Sequence, residues 1–311
     1  MLNIYLASPR WFCAWVHRAI NILNGALEKY GAPLFVNHEI IHNKIIVDFY
    51  KKKWVIFEEN LEKIPAWSIM IFSAHWVSPE YVKKVKEKWL KYIDASCPLV
   101  LKVHNEAKDY LSRWYKIIYI WQKKHQEALW LLWEDKQNIF IVENKTDVDK
   151  LLDTLKDEKL ALLTQTTLSV SDKQELENYI FSKFINIEKP KASDICFATT
   201  NRQNAVLEML KSNDIDWLII VGSKNSSNSN KLKNIWDKIW IKSVLIDKYE
   251  DLDYDFLKWV KNLWISSGAS VSHELVMDLI KKLEKYNNAK FIEEIKVAQE
   301  KIDFSFDLEL K

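Results

Sequence analysis

A chain of 311 residues is long enough for two or three domains of ordinary size, and 48% hydrophobic with 28% charged residues is a globular balance. The formal net charge of +2 is too small to argue for nucleic acid or a membrane surface as a partner, and no apolar window approaches the ~18 residues of a transmembrane helix. Three widely spaced cysteines make no disulfide framework, and the sequence enters a strand at once without a basic leader, so a cytoplasmic location is expected.

Strands and helices alternate along the chain, which predicts an α/β protein with mostly parallel sheets. The strand expected at residues 3–7 leads through Cys13 into a helix over 14–30, closed by Gly31. A strand at 33–37 runs into His38 and His42, then a helix to Lys53. A strand at 68–73 ends at His75, a helix follows from Pro79 to Leu90, and a strand at 92–94 precedes Cys97. Pro98 opens a helix to Arg113, as Pro suits a first helical turn. Strands at 116–120, 139–142 and 160–163 then alternate with helices, one over 148–155 and one with Ser171 and Gln174 at capping-box spacing. A strand at 195–198 carries Cys196. Strands at 218–221 and 242–246 and a last one ending at Ser267 complete the pattern before a long C-terminal helix. Three α/β units are expected at 1–96, 97–192 and 193–285, with an extended acidic tail over 286–311.

One count is abnormal. Ordinary usage of about 7% would give roughly 22 glycines, yet there are 4 Gly and 15 Trp. Trp54, Trp114 and Trp240 each follow a helical run and precede a strand, where a helix commonly ends on a left-handed Gly. Trp11 and Trp15 flank Cys13, and Trp76 follows His75, in tight polar turns. A bulky ring is poorly suited to positive φ. We read these as glycines encoded by UGA and translated as tryptophan; the alternative is a tryptophan-rich protein, and the codons decide.

Open α/β sheets place chemistry beyond the carboxyl ends of their strands. Cys13, Cys97 and Cys196 all fall at such turns, one per unit. Three thiolates can hold three irons of a cubane and leave the fourth open, although zinc with a His or water as fourth ligand satisfies the same spacing. His42, His75 and His125 follow strands at turns and suggest convergence on one anionic ligand, with His38 at most behind them. His17, His104 and His273 lie in or at helices and receive no role. The polar turn Ser223–Asn230 opens a helix after an apolar strand, which suits a phosphate, and Ser270 offers a second hydroxyl. Glu127 follows His125 by two residues and can carry protons, and Thr166 or Thr167 can hold a substrate hydroxyl. A Walker lysine motif and a GxGxxG turn are absent, with Trp kept or restored to Gly.

Taken in order, several runs resemble the IspH/LytB family of 4-hydroxy-3-methylbut-2-enyl diphosphate reductases, the last enzymes of the non-mevalonate isoprenoid pathway. The runs are Pro9-Arg10-Trp11-Phe12-Cys13-Ala14-Trp15-Val16, Val36-Asn37-His38-Glu39-Ile40-Ile41-His42-Asn43, Phe72-Ser73-Ala74-His75-Trp76 and Asp94-Ala95-Ser96-Cys97-Pro98. They continue with Thr164-Gln165-Thr166-Thr167, Cys196-Phe197-Ala198-Thr199-Thr200-Asn201-Arg202-Gln203, Val221-Gly222-Ser223-Lys224-Asn225-Ser226-Ser227-Asn228-Ser229-Asn230 and Gly268-Ala269-Ser270. The resemblance covers about residues 1–285.

It implies three similar lobes in pseudo-threefold arrangement around one [4Fe-4S] cluster per chain, held by Cys13, Cys97 and Cys196. It further implies that His42, His75, His125, Ser226, Ser227, Asn228 and Ser270 bind the diphosphate, that Thr166 orients the substrate hydroxyl, and that Glu127 delivers protons with His125 in its network. Ferredoxin or flavodoxin would supply two electrons, and isopentenyl and dimethylallyl diphosphates would be the products. The family usually has Pro where Gln126 stands, which should shift Glu127 modestly. Taken literally, Trp11, Trp15 and Trp76 would crowd the cluster and the diphosphate. The reading from a different class is a non-catalytic anion- or zinc-binding α/β protein.

Overall fold

Thirteen strands among the described residues form three separate sheets, and every pairing within them is parallel. The computed structural model describes residues 1–121, 126–190, 194–211, 215–237, 242–300 and 305–311. The strands are β1 Leu2–Ser8, β2 Leu34–Val36, β3 Val55–Phe57, β4 Ile69–Phe72, β5 Lys91–Asp94, β6 Lys116–Ile120 and β7 Ile139–Val142, followed by β8 Leu160–Thr164, β9 Ile187–Glu188, β10 Trp217–Val221, β11 Lys242–Ile246, β12 Asn262–Ser267 and β13 Ala289–Lys296. Their orders are β3-β2-β4-β5, β7-β6-β8-β9 and β11-β10-β12-β1-β13. Parallel strands need crossovers, and the helices that supply them cover the sheets with apolar faces. The strands consequently read as unbroken buried runs: Leu218, Ile219, Ile220 and Val221 are all buried, as are Leu160 to Leu163.

Most element ends follow local chemistry. Helix Ala14–Tyr30 begins at Cys13 and stops at Gly31, whose φ of 75° lets the chain turn. Helix Pro98–Ser112 opens on its Pro, and helix Pro79–Glu87 is capped by Ser78, whose hydroxyl accepts from the Tyr81 amide.

Five expectations are corrected. The first strand lies in the third sheet, between β12 and β13, so the first unit does not own it. The expected tail is in part a strand, β13, which runs parallel to β1 at the sheet edge. Ile195–Ala198 is no strand: Cys196 is the N-cap of helix Phe197–Met209. The helix after β8 starts at Val170 and is capped by Ser169, two residues before the expected Ser171, because the Ser169 hydroxyl accepts from the Asp172 amide. The expected helix over 148–155 is two short ones, Lys145–Asp149 and Leu152–Leu155.

The segment after helix His273–Asn287 ties the lobes together. Glu294 pairs with Arg10, and Glu300 accepts from Arg202 at 3.0 Å and from Asn201 at 3.1 Å. Further on, Leu308 and Leu310 pack into the core that helix 14–30 shares with β2 and β4, while the backbone of Lys311 exchanges two hydrogen bonds with that of Tyr92 on β5.

Candidate active site

The three cysteines arrive from three sheets. Cys13 follows β1 and its amide donates to Ala269 O at 3.0 Å, just beyond β12. Cys97 follows β5 and donates to Ala74 O at 2.9 Å, just beyond β4. Cys196 donates to Thr166 O at 2.9 Å, just beyond β8. Each is the N-cap residue of a helix, so each sulfur faces the positive end of a helix dipole. The Val16 amide donates to Cys13 Sγ and the Thr199 amide to Cys196 Sγ.

All three line one cavity of about 140 Å³. His42, His75, Thr166, Thr167, Ser226, Ser227, Asn228 and Ser270 line it as well, so eleven residues singled out by sequence converge on one space. His125 lies outside the described residues, as does the side chain of Glu127, whose backbone belongs to helix Gln126–Leu131.

Desolvation is the largest cause that pushes each thiol up, since an apolar surrounding disfavours thiolate. Cys97 is raised further by the charges of Cys13 and Cys196, so the three sulfurs feel one another. The charge of Arg202 opposes the rise at Cys13 and Cys196. Its guanidinium is fully buried and also donates to Trp11 O at 2.6 Å and Ala198 O at 2.9 Å. Three half-buried thiols that repel as thiolates call for a cationic group among them. The donor set therefore suits an iron–sulfur cluster with one metal corner unligated by cysteine.

The opposite wall is polar and joins the sheets. Asn43 Nδ2 donates to Ser270 O at 2.7 Å, and Ser270 Oγ donates to His42 O at 3.0 Å. Gln165 Nε2 and Thr167 Oγ1 both reach Ser227 Oγ, at 3.1 and 3.0 Å. Ser229 is pressed between two glycines: a Cβ on Gly222 or Gly268 would stand 2.2 or 2.1 Å from its hydroxyl. That fixes the start of helix Ser227–Asp237, where Ser226, Ser227 and Asn228 point a helix N-terminus at the cavity. The buried Asn228 side chain has no partner at Nδ2 or Oδ1 among the described residues, which suits a polar ligand.

Sequence reasoning gave no role to Arg202, although it stands in a quoted run, nor to Gln165; only the fold shows Arg202 bridging Trp11 to Glu300 beneath the thiols. The tryptophans behave unevenly. Trp11 has φ 72° and Trp76 φ 83°, while Trp15 sits in helix Ala14–Tyr30 and its ring lines the cavity. Trp76 is buried and stacks on His104 with ring centroids 3.7 Å apart.

A family profile described as LytB protein matches residues 4–284. The chain belongs to the LytB family. This LytB chain is 40% identical to a 4-hydroxy-3-methylbut-2-enyl diphosphate reductase of Glaesserella parasuis serovar 5 (strain SH0165), over 100% of this chain and 98% of that protein. The protein of the same description from Haemophilus influenzae (strain PittEE) is 39% identical with the same coverage. A solved Plasmodium falciparum structure, an E-1-hydroxy-2-methyl-but-2-enyl-4-diphosphate reductase, superposes with a TM-score of 0.91 at 34% identity, over 98% of this chain and 95% of that one. The three-lobed fold of the LytB chain is thus shared along nearly its whole length. Among its described residues no helix is long and apolar enough to cross a membrane.

Proposed function

We infer that this chain catalyses the reductive dehydroxylation of (E)-4-hydroxy-3-methylbut-2-enyl diphosphate to isopentenyl and dimethylallyl diphosphates, the terminal step of the non-mevalonate isoprenoid pathway. The observation that carries this is one cavity lined both by three cysteines and by Ser, Asn and His side chains. The reaction replaces C–OH by C–H: two electrons and two protons enter, one proton leaving with the hydroxyl as water and the other ending on carbon.

In this reading Cys13, Cys97 and Cys196 hold one [4Fe-4S] cluster, which supplies Lewis acidity and electrons when bound. His42, His75, Ser226, Ser227, Asn228 and Ser270 anchor the diphosphate through N–H and O–H donors, helped by the N-terminus of helix Ser227–Asp237. Thr166 orients the hydroxyl from the end of β8. Glu127 protonates the leaving oxygen, with His125 in the same proton network. The electron donor is a ferredoxin or flavodoxin, and the chain works in the cytoplasm.

The recoding of UGA belongs to this proposal. Six of the seven non-glycine residues at positive φ among the described residues are tryptophans: Trp11, Trp54, Trp67, Trp76, Trp89 and Trp114. Trp54 and Trp114 are two of the three helix ends where sequence placed a glycine; Trp240 lies outside the described residues. A left-handed conformation costs an L-residue roughly 1–2 kcal/mol, so a tryptophan selected for its ring is unexpected there.

The test is anaerobic purification of the chain with glycine at these positions. About four irons per chain, a brown colour and substrate-dependent oxidation of a reduced dye are expected. Colourless protein without iron overturns the reading. Glu127→Ala should keep the cluster spectrum and lose turnover, and near-normal turnover in that variant removes the acid from Glu127.

A further inference from the structure

Three imidazoles crowd together at the mouth of the second sheet-end turn. The rings of His42 and His75 lie 4.0 Å apart, and that of His38 lies 5.7 and 5.5 Å from them. One nitrogen from each falls within 4.8 Å of the others. His75 is buried and His38 and His42 are half-buried, with Trp130 edge-on to His38 at 6.0 Å. The proposed diphosphate role uses His42 and His75 and leaves His38 without a task.

The partners behind these rings point to a different kind of ligand. His38 Nδ1 meets Glu59 Oε1 at 2.5 Å, and His42 Nδ1 meets Glu39 Oε2 at 3.3 Å. His75 Nδ1 lies 3.4 Å from Ser73 Oγ. Glu39 is itself held by Asn225 Nδ2 at 2.8 Å. At His38 and His42 a carboxylate oxygen beside Nδ1 favours the tautomer in which Nε2 carries the lone pair, and raises the basicity of the ring as a ligand. Three histidines, two of them braced by carboxylates, are a donor set that zinc completes with a water as fourth ligand.

We propose that His38, His42 and His75 form a binding site for a divalent zinc-class metal, braced by Glu59 and Glu39. Metal there occupies the faces of His42 and His75 that the proposed diphosphate site uses. Zinc and substrate therefore exclude each other, and zinc acts as a competitive inhibitor of the reductase. The competition rests on the diphosphate reading, whereas the site itself does not.

The experiment uses the anaerobic, cluster-loaded protein, so that the cysteines are occupied. Zinc chloride is titrated calorimetrically into the wild type, His38→Gln and Glu59→Gln. Wild type should show one tight site. His38→Gln should lose it, and Glu59→Gln, at an exposed carboxylate whose loss spares the fold, should weaken it by about 10–100-fold. In turnover assays zinc should raise the apparent KM of the wild type with kcat unchanged, and His38→Gln should turn over normally and escape inhibition. Equal zinc affinity and equal inhibition in His38→Gln and wild type overturn the proposal. If the protein carries no iron and no activity, the reductase reading falls, yet the difference between the isotherms of wild type and His38→Gln still decides the histidine site.

Discussion

Replacing Trp54 and Trp114 together by glycine should stabilise the chain. Both end a helix at positive φ, 61° and 65°, with their amides bonded back to Lys51 O and Leu111 O. Their side chains are 74% and 89% exposed, so little apolar burial is lost with them. Relief of a left-handed L-residue is worth roughly 1–2 kcal/mol per site. Glycine's extra freedom in the unfolded chain takes back roughly 0.5–1 kcal/mol. The net gain is about 0.5–1 kcal/mol per site, and sites in different lobes add to about 1–2 kcal/mol. The control is the double alanine variant, which removes the rings but keeps the strain. Urea unfolding with a common slope should place the midpoint of the glycine form above both the alanine form and the parent. If the glycine form is no more stable than the alanine form, the φ argument fails, and with it the main structural support for glycine at these codons. Trp67→Gly and Trp89→Gly serve as a contrast. Those rings stack at 5.5 Å, and losing an aromatic pair worth about 0.5–1.5 kcal/mol offsets the strain relief.

Arg202→Leu should destabilise the fold by about 3–5 kcal/mol, because it strands the nearly buried Glu300 carboxylate, and Arg202→Leu with Glu300→Leu should recover much of the loss in the same urea assay. Gly268→Ala drives a Cβ into Ser229 and should cost about 1–3 kcal/mol while raising the KM for the diphosphate; an unchanged KM would show that Ser229 does not set the anion wall. Burial holds the His104 imidazole below its ordinary value of 6.5 despite Glu134 at 3.0 Å. The unfolded chain therefore takes up a proton there first, so stability present above pH 6.5 falls as pH drops from that value toward the folded one. His104→Gln should flatten the stability profile in that window, and a profile parallel to the parent's would refute the assignment.

What the sequence disclosed and what it concealed divide by range. Strands at 116–120, 139–142 and 242–246 and the helix 14–30 are recovered to the residue, because apolar runs and end residues act within a few positions. Cys13, Cys97, His42, His75, Thr166, Ser226, Asn228 and Ser270 were legible as polar turns after strands, and the parallel architecture then forces such turns to one side. Sheet membership was not legible: nothing in Leu2–Ser8 says that its neighbours will be β12 and β13. Nor did β13 announce itself, since its residues are largely exposed and charged and it is held by backbone pairing and by Glu294 on Arg10. Cys196 misled because Ile195, Phe197 and Ala198 read as a short apolar run, whereas its sulfur accepts the Thr199 amide and starts a helix.

The closing segment sets an order of events in the making of this protein. Among the described residues Arg202, whose charge acts on two of the three sulfurs, meets its counter-charge in Glu300, and the edge of the β5 sheet is zipped by Lys311. A nascent chain leaving the ribosome thus presents every thiol before the strap that finishes the wall has been synthesised. In the folded chain Glu300 is thus the last piece of the wall behind the thiols to be made, and it serves that wall as a latch.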